Sequence, residues 1–98
     1  MGAAREYRLD YKVPGGKLIR IRIELESGRV RLLRVSGDFF AHPEALFEAA
    51  EASLVDCSVE GLPAAAEAAF GSGGLTLFGA APRDIAKALE LAVAGGAP

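Results

Sequence analysis

The chain has 98 residues, 51% of them hydrophobic and 24% charged, with a formal net charge of −2. That is the size and balance of one globular domain, residues 1–98, with a single core and no room for an elaborate multi-substrate cleft. No apolar run is long enough to span a bilayer, and the N-terminus lacks the apolar centre of a signal peptide. Cys57 stands alone, without partners for an internal disulfide or a thiolate cage, so a cytoplasmic protein is expected.

Tyr7, Leu9, Tyr11 and Val13 alternate with Arg8, Asp10 and Lys12, the period-two pattern of a half-buried strand. Pro14-Gly15-Gly16 then turns the chain. In the second strand, Ile19, Ile21, Ile23 and Leu25 alternate with Arg20, Arg22, Glu24 and Glu26. Ser27-Gly28 reads as a tight hairpin turn, because Gly takes positive φ at no steric cost. The third strand, Arg29–Ser36, slips phase: Val30 and Leu32 are even, Leu33 and Val35 odd. Either a β-bulge near Leu32-Leu33 keeps all four on the core side, or the strand end is buried on both faces.

Helical spacing follows. Pro43 suits a first helical position, and Leu46, Phe47, Ala50 and Leu54 form one apolar stripe. Pro63 opens a short alanine-rich helix to about Phe70, and Gly71–Gly79 reads as a glycine-rich connection. Pro82 opens the last helix, with Ile85, Leu89, Ala92 and Val93 on its apolar face, Gly95-Gly96 as its stop and Ala97-Pro98 frayed. Strands first and helices after predict an α+β fold: a three-stranded antiparallel meander with about three helices packed on one face.

Charge is unevenly spread. Residues 5–34 carry nine bases against four acids, and residues 35–98 carry two bases against nine acids. The outer sheet face is expected to show Arg8, Asp10, Lys12, Arg20, Arg22, Glu24, Glu26, Arg29 and Arg31. Such a face suits an acidic partner or is simply solvated.

Catalytic parts are sparse. His42 is the one candidate base and Cys57 the one candidate thiol nucleophile, fifteen residues apart. His42 with Asp38 or Glu44 falls short of the three or four ligands of a zinc site. Gly71-Ser72-Gly73-Gly74 lacks the Lys-Ser/Thr of a phosphate loop. Glu44, Glu48 and Glu51 recur at helical spacing and read as a solvated helix face. The pI of 5.4, with both tyrosines on the apolar phase, disfavours nucleic acid. Gly37-Asp38-Phe39-Phe40 stands out: in extended backbone the two rings point opposite ways, so both are buried only if the segment is enclosed, or one awaits a partner. Asp38 is placed to cap backbone donors at that corner.

Lys12-Val13-Pro14-Gly15-Gly16-Lys17-Leu18-Ile19-Arg20, then Gly28-Arg29-Val30, then Val35-Ser36-Gly37-Asp38-Phe39-Phe40 resemble the C-terminal accessory domain of lipoate–protein ligases. The resemblance is strongest over residues 12–43 and continues in helical layout to about residue 93. It implies a non-catalytic accessory subunit, because in that family a separate large domain binds lipoate and ATP and forms lipoyl-adenylate. The lipoyl group then passes to a lysine of a lipoyl carrier domain. The implied partner is the catalytic subunit, and carrier domains are met indirectly. This chain is expected to bind no cofactor or metal itself and to have no activity alone. Contact roles fall on Lys12, Lys17, Gly37, Asp38, Phe39 and Phe40. The layout also resembles the SufE and iron–sulfur scaffold fold, which implies a sulfur or cluster-assembly alternative. Cluster ligation needs about four cysteines, and this chain has one. A small RNA-binding module is the other alternative.

Overall fold

A computed structural model describes residues 4–95. The expectations on Met1–Ala3 and on Gly96, Ala97 and Pro98 lie outside the described residues. The chain runs β1 (Arg5–Lys12), β2 (Leu18–Glu26), β3 (Arg29–Gly37), β4 (Phe40–His42) and α1 (Glu44–Ser53). It continues through α2 (Leu62–Phe70), β5 (Thr76–Phe78) and α3 (Pro82–Val93). The expected α+β architecture is present: β1, β2 and β3 form an antiparallel meander in that order, and α3 packs on β1 and β2, with α2 against α3 and α1 against β3.

Turn chemistry sets the register. Ser27 and Gly28 both take positive φ, 55° and 76°, as a type I′ hairpin requires. At the first turn Gly16 N donates to Val13 O at 2.8 Å, with Pro14 second and positive-φ Gly15 third, a type II pattern. With both turns set, every second β2 side chain enters the core, where Ile19, Ile21 and Ile23 are buried against Val30, Leu33, Phe70, Ile85 and Leu89.

The bulge is real, but it sits one residue earlier than expected and does something different. Pairing steps from Glu24↔Leu32 to Leu25↔Val30, which leaves Arg31 as the extra residue. Val30, Leu33 and Val35 face the core, whereas Leu32 lies opposite Glu24 on the outer face, half-buried. A bulge re-aims a side chain when the strand gains a residue. Here it gives the outer face one apolar residue.

Three further expectations are corrected. Gly71–Gly79 is not merely a connection, because Thr76–Phe78 pairs antiparallel with β4 as Phe40↔Phe78, Ala41↔Leu77 and His42↔Thr76. And α1 does not present all its glutamates to solvent. Glu44 and Glu48 are exposed, but Glu51 is buried and its Oε2 accepts from Val35 N at 2.7 Å. Leu46, assigned to the apolar stripe, is 40% exposed, while Phe47, Ala50 and Leu54 are buried.

Candidate functional site

The conspicuous surface lies at one end of the sheet, where the β1–β2 turn, the β3–β4 corner and the end of β5 meet. Gly37 makes the junction possible. It adopts φ +150°, and a Cβ there would overlap the carbonyl oxygen of Leu18. Only glycine permits so close a backbone crossing. Asp38 N donates to that same Leu18 O at 3.0 Å. The corner is thus tied by the Asp38 backbone, not by a carboxylate cap as its sequence position suggested. Gly79, at φ +95°, brings β5 alongside, where a Cβ would meet Lys17 Cγ at 2.8 Å and Phe39 Cβ at 3.5 Å.

The adjacent phenylalanines divide as extended backbone demands. Phe39 turns inward and is half-buried, its ring centroid 5.8 Å from Phe47, which lies 5.0 Å from Phe70. Phe40 turns outward and is 75% exposed. Across the β4–β5 ladder stands Phe78, 58% exposed. Two exposed phenylalanines in register form an apolar patch of the kind that marks a contact surface. Lys12 and Lys17 border the same end. Lys12 Nζ donates to Gly16 O at 2.6 Å, and the Lys17 ammonium is exposed above a stem laid near Gly79. The sequence motif therefore converges in space. Phe78 and Gly79 join it unforeseen, although the alternation within Leu75-Thr76-Leu77-Phe78 is itself a short strand signal.

The outer sheet face is less basic in effect than in composition. Arg8, Arg22 and Arg34 lie directly opposite one another across the strands, an arrangement that repels unless acids intervene. Glu6 holds Arg8 at 3.1 Å and Arg22 at 2.5 Å and Glu24 lies 3.4 Å from Arg22, whereas Arg34 has no salt bridge among the described residues. Arg20 faces Asp10 at 3.9 Å and Arg31 faces Glu26 at 3.3 Å. The hydrogen bond from Arg22 lowers the Glu6 pKa below the ordinary carboxylate value, with the charges of Arg8 and Arg22 adding to it. An acidic partner would have to compete with acids already in place.

The expected chemistry-bearing residues stay apart. His42 is exposed on β4, before α1, and Cys57 lies beyond that helix, half-buried with Sγ directed at Ser58 O. Ten helical residues, about 15 Å, separate their ends of α1. Among the described residues no group of three His, Cys, Asp or Glu side chains is placed to hold a metal. No helix among them is long and apolar enough to cross a membrane.

No family model matches the chain, and no curated protein does. A solved structure does. It is described as that of an archaeal lipoylation system, a bi-partite lipoate protein ligase and its E2 lipoyl domain from Thermoplasma acidophilum. This chain aligns with one of its chains at a TM-score of 0.75 and 29% identity. The alignment covers 89% of this chain and 97% of the other, so the two are nearly equal in length.

Proposed function

We propose that this chain is the non-catalytic accessory subunit of a two-component lipoate–protein ligase. The observation that carries the reading is the end-to-end match to a similarly small chain of an archaeal lipoylation system. The exposed Phe40–Phe78 pair fits a docking role. In this reading the catalytic subunit binds lipoate and ATP, and this chain organises it for lipoate adenylation; whether it also serves transfer to carrier domains is read by the test below. The corner formed by Lys12, Lys17, Gly37, Asp38, Phe39 and Phe40, with Phe78, seats on that subunit.

The test is lipoylation of a carrier domain by the matching catalytic subunit with ATP and lipoate, with and without this chain. Lipoate-dependent pyrophosphate release, read separately, assigns the help to adenylation or to transfer. Activity that needs both chains is expected. A catalytic subunit equally active alone, and unable to bind this chain, would overturn the reading.

A further inference from the structure

Beside β3 and α1 runs an open channel of about 1000 Å³. The strand and the helix line it in opposite directions, with Gly37 and Phe40 near Glu44, Val35 bonded to Glu51, and Leu32 at the level of Val55. Its apolar lining is more than the fold requires. Val55 is 45% exposed, Phe40 is 75% exposed, and Leu32 is on this side because of the bulge at Arg31. Its charged lining is also distinctive. The strand wall carries Arg34 and the helix wall Glu44 and Glu48. None of these three takes part in a salt bridge among the described residues, whereas Arg8, Arg20, Arg22 and Arg31 all do. Arg34 does donate to Leu33 O at 2.9 Å, but it and the two glutamates remain without salt bridges among the described residues and flank an apolar trough, basic on one side and acidic on the other.

We propose that this channel receives an amphipathic helix of the catalytic subunit. The helix would lay an apolar stripe over Leu32, Ala52 and Val55, an acidic flank toward Arg34 and a basic flank toward Glu44 and Glu48. A helix suits the arrangement because it can carry opposite charges on the two sides of one apolar stripe, and helix-in-groove docking reads such patterns. Charge placed this way fixes the direction in which the helix lies. A second copy of this chain is the poorer occupant, because two concave troughs cannot fill one another. The proposal rests on the accessory-subunit reading and adds the mode of contact to it.

Calorimetric titration with the catalytic subunit tests it, using the whole chain carrying Val55→Glu, Ala52→Arg, Arg34→Glu or Glu48→Arg. Glu67→Lys, exposed on α2 away from the channel, is the charge control. All five positions are exposed, and a thermal melt checks that each variant folds. Val55→Glu and Ala52→Arg are expected to weaken binding at least about tenfold, and the two charge reversals about threefold or more, lessened by salt. Glu67→Lys is expected to change binding less than about twofold. Amide exchange on the catalytic subunit should show protection of a helix with the stated pattern. Undiminished binding by Val55→Glu and Ala52→Arg overturns the channel proposal and leaves the accessory reading intact. Failure of the unmodified chain to bind overturns both. Self-association of the chain that Val55→Glu abolishes also overturns the channel proposal.

Discussion

Replacing Glu51 by alanine is expected to destabilise the fold by about 2 kcal/mol at pH 7. Glu51 is 9% exposed and its carboxylate accepts from Val35 N at 2.7 Å, bridging α1 to the edge of β3. A hydrogen bond to a charged group contributes about 1.5–3 kcal/mol, and an orphaned buried N–H costs about 1–3 kcal/mol. Part of that loss is offset, because burial pushes the Glu51 pKa above the ordinary carboxylate value; the bond from Val35 and the charge of Arg34 pull it back only partly. In a chain of this size 2 kcal/mol lowers Tm by roughly 10 °C. Glu51→Gln keeps an acceptor for Val35 without the buried charge, so it should be as stable as the parent or slightly more so. The pH dependence has a definite sign. A carboxyl whose folded pKa is raised binds its proton more tightly in the folded state, so ionisation costs stability. Relative to Glu51→Gln, the parent should lose stability as pH rises from the ordinary carboxylate value through the raised one, and then level off. Urea titrations of the three proteins between pH 4 and 8 read both effects. An alanine variant as stable as the parent, or a parent-minus-glutamine difference that is flat with pH, would refute the bridge.

Gly37→Ala should cost about 3 kcal/mol or more, since the added Cβ overlaps the Leu18 carbonyl oxygen and the φ of +150° disfavours any L side chain. Urea unfolding measures it, and a loss under about 1 kcal/mol would show that the strand crossing yields easily. Phe39→Ala and Phe40→Ala, adjacent in sequence, should separate. The inward ring, in contact with Phe47, should cost about 2 kcal/mol, and the outward ring less than about 0.5 kcal/mol. Phe40→Ala combined with Phe78→Ala should leave the melt unchanged and weaken binding to the catalytic subunit at least about tenfold. Unchanged binding would remove this corner from the interface.

Much of this architecture is local and therefore legible. The alternation of Ile19, Ile21 and Ile23 with arginines dictates a half-buried strand whatever follows. Ser27-Gly28 and Pro14-Gly15-Gly16 dictate turns because few residues accept the φ values those turns require. Prolines before or within the first turns of α1, α2 and α3 mark their starts within a residue. Even the division of Phe39 from Phe40 follows from the pleat. The candidate corner was legible as a motif, since its glycines and aromatics adjoin strand ends.

What escaped the sequence depends on which element lands beside which. Glu51 has the spacing of a solvated glutamate and is buried only because α1 meets the one edge of β3 with an N–H to offer. Arg31, not Leu32 or Leu33, is the bulged residue, a choice made by pairing with β2 rather than by the residues of β3 alone. Thr76–Phe78 becomes a strand only when β4 is there to pair with it, and Phe78 reaches the corner by that route. The front half stays net positive, but the fold sets where that charge projects, because Glu6, Asp10, Glu24 and Glu26 pair with Arg8, Arg20, Arg22 and Arg31. Period, turn and helix start are properties of a few consecutive residues, and the sequence determined them by itself. Burial of a lone polar group, the site of a bulge and the pairing of charges are contacts between distant segments, and only the tertiary structure could decide them.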